Sequence, residues 1–223
     1  MHIQKLYGID GAKRATDLTV VIDIFRAGTT AAYLLSKNIN KILPVGTKEE
    51  AFYYKEQHPD WLLIGEERGI KIEGFEFGNS PYEISQLNSV DGKNVILRSS
   101  HGTQGIIEAK QANEIVFGSF ATCEAVTKYA MKSNQNLSIV AMDGEGSEDE
   151  LFADYLIAKI EHKTPKNIDE IIHFMKHHPG GWRFLDPNNN EFPQQDFYLC
   201  LSLDTFDFVP VVKDGFIQKV SHP

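Results

Sequence analysis

Five times along the chain, a short β-favouring run ends in a turn of Gly, Ser, Thr or Asp and hands over to a stretch with helical periodicity. LTVVID (18–23) leads to TTAAYLLSK, KILPV (41–45) to TKEEAFYYKEQ, and NVILRSS (94–100) to GTQGIIEAKQA. EIVFGSF (114–120) leads to ATCEAVTKYAMK, and LSIVAMD (137–143) to SEDELFADYLIAKIE. Parallel strands need long crossover connections, usually helices, so this repeated unit constrains the chain to an α/β fold: a mainly parallel sheet with helices on both faces. Helix starts are marked by three S/T-x-x-E capping boxes, Thr47 with Glu50, Ser80 with Glu83 and Ser147 with Glu150. Their spacing accounts for Glu83 and Glu150 as caps rather than ligands. Pro81, at a first helical position, reinforces the second box.

Beyond residue 165 the pattern changes. HHPGGWRFLDPNNNEFPQQ (177–195) reads as a long loop, DFYLCLSL (196–203) as a strand, and FDFVPVVKDGFIQKV as a hairpin turning at Asp214-Gly215. The expected organisation is an α/β core with the site loops over 1–165. A C-terminal loop and β-rich addition over 166–223 packs on that core, and could stand as a second lobe.

The net charge of -9 repels phosphate backbones and argues against a nucleic-acid partner, so a small anionic ligand would need a local positive site. Two cysteines, Cys123 and Cys200, without CxxC or zinc-ligand spacing, fit a reducing cytoplasm. MHIQKLYGIDGAKRATD lacks the apolar core of a signal peptide, and no run approaches the roughly 18 apolar residues of a membrane span. The expectation is a soluble, unprocessed protein with no membrane partner, and a homodimer is the default on base rates.

In open α/β sheets, ligands collect beyond the carboxyl ends of strands, where helix N-termini present free N–H groups. DIFRAGTT (23–30), SSHGT (99–103), GSFAT (118–122) and DGEGSEDE (143–150) fall there, with GEERG (65–69) and GFEFGNSP (74–81) as further loops. Anion donors gathered with carboxylates are what metal-assisted phosphoryl transfer needs, because a divalent cation joins phosphate oxygens to carboxylates that would otherwise repel them. Asp23 could equally cap the turn it opens, and Arg26 could be the partner of an acidic residue. His101 could be a general acid, a phosphate donor or a structural loop residue, and Glu148 and Asp149 could simply favour a helix's first turn. His173 and His177 have the i, i+4 spacing of helical metal ligands but no HExxH glutamate.

VVIDIFRAGTT, IGEERG, EGFEFGNSPYE, SSHGT, FGSF and SEDELFA together resemble, in order and interval, the 2-phosphosulfolactate phosphatase family of coenzyme M biosynthesis. The resemblance runs over nearly the whole chain and includes the late D-x-Y-L-C and VP segments. It implies a Mg²⁺-dependent phosphatase that hydrolyses (2R)-phospho-3-sulfolactate, a small anionic phosphorylated substrate, to sulfolactate and phosphate. The candidate catalytic residues are Asp23 and Arg26, on that resemblance, and His101, as the titratable ring of the SSHGT loop. Thr29, Thr30, Asn79, Ser99, Ser100, Gly102, Thr103 and Ser119 are candidates for substrate binding, and Asp23, Glu66, Glu148 and Asp149 for metal binding. The chain departs from the family pattern at Gly28 (Thr), at His101 (Asn) and at Phe152-Ala153-Asp154 (Cys-Ala-Gly). The alternatives are a non-catalytic anion-binding sensor or scaffold of the same fold and, as a minor one, a haloacid-dehalogenase-like phosphatase. The latter normally carries a second Asp where this chain has Phe25.

Overall fold

Each of the five apolar runs forms a strand, because alternate side chains can be buried on opposite faces of a covered sheet. The structure is a computed structural model and describes residues 1–88 and 90–221. Its strands are β1 (Ile3–Tyr7), β2 (Asp17–Ile22), β3 (Lys41–Val45), β4 (Leu62–Glu67), β5 (Ile70–Lys71), β6 (Asn94–Arg98), β7 (Ala112–Gly118), β8 (Leu137–Ala141), β9 (Phe208–Lys213) and β10 (Phe216–Ser221). They form one sheet in the order β1-β8-β2-β7-β9-β10-β3-β6-β4-β5. In β2, Leu18, Val20 and Ile22 enter one apolar core while Val21 enters another on the opposite face. The fold is therefore α/β, with a large, mostly parallel sheet flanked by helices and antiparallel C-terminal strands.

Two parallel blocks, β1-β8-β2-β7 and β3-β6-β4, are joined by the antiparallel β9-β10 hairpin. The hairpin turns at Asp214-Gly215, as the sequence predicts. It lies within the sheet, β9 against β7 and β10 against β3, the latter through a single register pair, Ile217 with Ile42. Both junctions are antiparallel, so the blocks run in opposite senses, and in a flat sheet their carboxyl ends would lie at opposite edges. Twist of roughly 20–25° per strand pair accumulates between β2 and β6 and turns one block across the other. Their loops meet: Gly102 N–H, after β6, donates to Asp23 Oδ2, after β2, at 2.8 Å.

Three local expectations are corrected, the first being that 177–195 is not wholly a loop, since Pro179–Trp182 within it is a short helix. DFYLCLSL is not a strand, since Gln194–Cys200 is a helix that starts after Pro193. Asp196, Phe197 and Cys200 are its buried residues, a helical i, i+3/i+4 spacing that the aromatic, apolar composition disguises. GEERG is not wholly a loop, since β4 extends through Glu67. The three capping boxes form as expected: Thr47, Ser80 and Ser147 accept from the N–H of Glu50, Glu83 and Glu150. The three glutamates accept in return from Gly46, Gly78 and Gly146. Among the described residues, no helix is long and apolar enough to cross a membrane.

Candidate active site

Asp23 follows β2 directly and is 6% exposed. Its Oδ1 accepts the N–H of Ala27 at 3.2 Å and its Oδ2 that of Gly102 at 2.8 Å, so one carboxylate receives the first N–H groups of two helices, Ala27–Ser36 and Gly102–Glu108. Helix N-termini favour the anion. Burial outweighs them and, with the Asp143 carboxylate nearby, pushes Asp23 up to about 6. Asp23 lines a cavity of about 260 Å³ together with Arg26, Glu66, Asn79, Ser100 and His101. Sequence segments separated by up to 78 positions thus share one chamber, walled on a further side by Arg183 and Phe192 from the long C-terminal loop.

The approach at Gly102 leaves no room for a side chain. A Cβ there would stand 2.6 Å from Asp23 Oδ2 and 2.7 Å from Phe117 Cζ. Gly102→Ala is therefore expected to cost about 1–3 kcal/mol of stability and to displace Asp23. Thermal melts read the first effect and substrate turnover the second, and an alanine variant with wild-type values of both would contradict this geometry.

His101 Nδ1 lies 2.9 Å from Asp143 Oδ1. That hydrogen bond raises the imidazole to about 9, against the opposing effect of partial burial. Asp143 remains below the usual carboxylate range because the His101 bond and charge outweigh its burial. Beside it, burial and the Asp143 charge push Glu148 up to about 8. Asp149, 2% exposed, is raised far above its ordinary value, first by burial and then by Glu148. Asp149 Oδ1 accepts from Ile24 N–H at 2.7 Å and Oδ2 from Asp143 N–H at 3.0 Å, so it ties the end of β2 to the end of β8.

Glu66 lines the same cavity, accepting from Ser100 N–H, from Ser100 Oγ and from Gly69 N–H. Arg26, 4% exposed, donates to Asp196 Oδ2 at 3.1 Å and to the carbonyls of Glu191 at 3.1 Å and Gly69 at 2.7 Å. Asn79 lies on the wall shared with an adjoining chamber of about 540 Å³, and its Oδ1 is buried without a hydrogen-bond partner. The remaining sequence candidates lie behind the cavity surface. Thr29 donates to Ile24 O, and Ser99 and Thr103 bond each other. The hydroxyls of Thr30 and Ser119 are buried without partners. Sequence reasoning missed Asp143, Asp196 and Arg183. Asp143 was legible as the last residue of an apolar run, whereas the other two sit in segments read as a strand and a loop.

Of the three departures, Gly28 and Phe152-Asp154 are explained by packing. A Cβ at Gly28 would meet Gly118 O at 2.7 Å, so helix and strand backbones touch there. Phe152 is fully buried against Phe120 at 4.7 Å, and Asp154 pairs with Lys5 at 2.7 Å. His101 faces the cavity.

A sequence model of the family described as 2-phosphosulpholactate phosphatase matches residues 8–215. The chain belongs to the 2-phosphosulfolactate phosphatase family. The proteins of this family that it resembles include a Bacillus subtilis (strain 168) protein named "Probable 2-phosphosulfolactate phosphatase", 31% identical over 208 residues, which span 92% of this chain and 91% of that one. A protein of the same name from Caldanaerobacter subterraneus subsp. tengcongensis is 29% identical over 215 residues, 89% of each chain. A third, from Carboxydothermus hydrogenoformans, is 40% identical over 143 residues, 64% of this chain and 58% of that one. By family, the chain is a phosphoric monoester hydrolase, and the 260 Å³ cavity around Asp23 is the candidate active site of a 2-phosphosulfolactate phosphatase family member.

Among the described residues, no three His, Cys, Asp or Glu side chains are grouped closely enough to hold a metal ion. Mg²⁺ takes one or two carboxylates and completes its shell with water and substrate phosphate. The charge balance fits that habit, because burial and mutual repulsion raise Asp23, Glu148 and Asp149 together. Asp23, Glu66 and Asp149 each accept hydrogen bonds at both oxygens, and of these Asp23 and Glu66 line the cavity and would hold the ion there through their remaining lone pairs.

Proposed function

We propose that this chain hydrolyses the phosphate monoester of a small acidic three-carbon alcohol, (2R)-phospho-3-sulfolactate by family, in a Mg²⁺-dependent reaction in the cytoplasm. The observation that carries the reading is Asp23: a buried carboxylate held by two helix N-termini at the wall of a small cavity, with a histidine–aspartate pair on the same wall. Both cysteines are free and buried, in keeping with a reducing compartment.

When bound, Mg²⁺ supplies charge neutralisation for the phosphoryl oxygens. The chain's own residues do the rest. Asp23 supplies the carboxylate that attacks phosphorus or activates the attacking water. As the P–O bond to the alcohol breaks, its electron pair stays on the alcohol oxygen, which takes the Nε2 proton of His101. Asp143 accepts from Nδ1, which leaves Nε2 to carry the transferable proton. Asn79 and the Ser100 hydroxyl line the same chamber as hydrogen-bonding groups.

Phosphate release from three-carbon phosphomonoesters, with and without Mg²⁺, tests the reading, which fails if the protein binds them without turnover. The pH profile tests His101. An acid must be protonated, so kcat falls as pH rises through about 9, where the Asp143 bond sets its titration. His101→Gln is expected to remove that limb and lower kcat about 10²-fold. A basic limb retained in the glutamine variant would assign the proton to another group.

A further inference from the structure

Three guanidinium groups line the 260 Å³ cavity, those of Arg26, Arg68 and Arg183. They are not in equivalent states. Arg26 is neutralised by the buried Asp196 at 3.1 Å. Arg68 is exposed on the turn between β4 and β5, where solvent screens it. Arg183 is half-buried, is in no ion pair with any described residue, and its Nε is buried without a hydrogen-bond partner. Its Nη2 reaches Phe25 O only at 3.5 Å, beyond good hydrogen-bond length. An unpaired buried donor is unfavourable, more so on a cation, and most buried polar groups in folded proteins have a partner.

The surroundings hold this guanidinium in place. It lies 4.8 Å from the Phe192 ring centroid and 5.3 Å from that of Phe184. The Phe192 ring also carries Arg26, at 4.7 Å, and meets Phe184 edge-on at 5.2 Å. It presses on Gly69, where a Cβ would stand 2.3 Å from Phe192 Cζ. A guanidinium stacked on aromatic rings loses little freedom when its edge N–H groups bind an oxyanion, so Arg183 is preorganised for a bidentate acceptor.

Position separates this group from the reacting phosphoryl. The Asp23 carboxylate is held by the N–H groups of Ala27 and Gly102, whereas the Arg183 guanidinium rests on the Phe184 and Phe192 rings with Nη2 toward Phe25 O. Both groups line the cavity but share no contact partner among the described residues, so a substrate whose phosphoryl group lies at Asp23 would meet Arg183 with another part of its skeleton. We propose that Arg183 is the specificity residue of this site and that its N–H fork binds a substrate acid other than the one hydrolysed, a carboxylate or sulfonate one or two carbons from the ester oxygen. This rests on the phosphatase reading above and names what that reading leaves open, the feature of the substrate that is selected.

Three substrates share one carbon skeleton and separate the sources of the acid: glycerol 2-phosphate with none, 2-phosphoglycerate with a carboxylate, and 2-phospho-3-sulfolactate with a carboxylate and a sulfonate. In Arg183→Gln, the ratio of kcat/KM for the acidic substrates to that for glycerol 2-phosphate is expected to fall about 30–100-fold, chiefly through KM, with Arg183→Lys recovering part of it. A loss confined to 2-phospho-3-sulfolactate assigns the sulfonate, and an equal loss for both acidic substrates assigns the carboxylate. An unchanged ratio overturns the proposal, because a purely structural or phosphoryl-binding arginine would affect all three substrates alike. Calorimetric binding of 3-sulfolactate, which has both acids and no phosphate, decides independently of turnover. Wild-type binding that is lost in Arg183→Gln supports the proposal, while equal binding by both proteins, or by neither, overturns it. Absence of phosphate release from every substrate counts against the phosphatase reading alone.

Discussion

Asp23→Asn is expected to lower phosphate release by roughly 10³-fold or more while leaving the protein folded. The carboxylate is 6% exposed, with Ala27 N–H on one oxygen and Gly102 N–H on the other. An amide keeps an acceptor for one donor and turns an NH₂ toward the other, a local mismatch. Against this, burial raises the Asp23 carboxyl to about 6, so the ionised form opposes folding. The sign follows from linkage: a carboxyl whose folded value lies above its unfolded value of 3.8 weakens the folded state as pH rises from about 4 through about 6. Asn is neutral at every pH and removes that penalty. The thermal midpoint of Asp23→Asn should thus stay close to wild type at neutral pH while turnover collapses, a combination found where an active site is maintained at some cost to stability. Turnover within tenfold of wild type would remove Asp23 from the chemistry. With the wild type, retention of configuration at phosphorus or a trapped phosphoryl adduct identifies Asp23 as the nucleophile. Inversion without an adduct identifies water.

The second large effect concerns folding. Asp196 is fully buried on the helix Gln194–Cys200. Its Oδ1 accepts from Ser80 Oγ at 2.8 Å and Tyr82 N–H at 2.9 Å, and its Oδ2 from Arg26 at 3.1 Å. One carboxylate therefore joins the C-terminal helix, the helix Pro81–Ser85 and the turn after β2. Asp196→Ala leaves a buried guanidinium and two further donors unpaired, which is expected to cost about 3–5 kcal/mol and lower the thermal midpoint by on the order of 10 °C. Replacing both partners with apolar groups, as in Arg26→Met with Asp196→Leu, should recover much of that loss, since the penalty comes chiefly from an uncompensated charge. A single variant that melts with wild type would show that water or another group compensates Arg26.

Arg26 illustrates why the site was only partly legible. Its place in DIFRAGTT left a catalytic role and an acidic partner both open, and three of its N–H groups are spent on Asp196, Glu191 and Gly69. Asp196 is 170 positions away, and nothing in either local segment announces the pair. Short-range chemistry was read more securely. The caps at Thr47, Ser80 and Ser147 depend on residues three apart, and the hairpin at Asp214-Gly215 on two turn residues between apolar runs. β1 escaped notice because IQKLY is half-buried throughout and lacks the apolar run of an interior strand.

By itself, the sequence determined the α/β grammar, the family and the position of Asp23 at a strand end, because strand periodicity, capping and motif order are local properties of the chain. The tertiary structure decided which loops share the cavity. Two parallel blocks of opposite sense have to be turned across one another before Asp23 can accept from Gly102, and before Arg183 can face the same space from the far end of the chain. That outcome depends on sheet twist and on a C-terminal hairpin inserted between the blocks, both of them long-range consequences of packing.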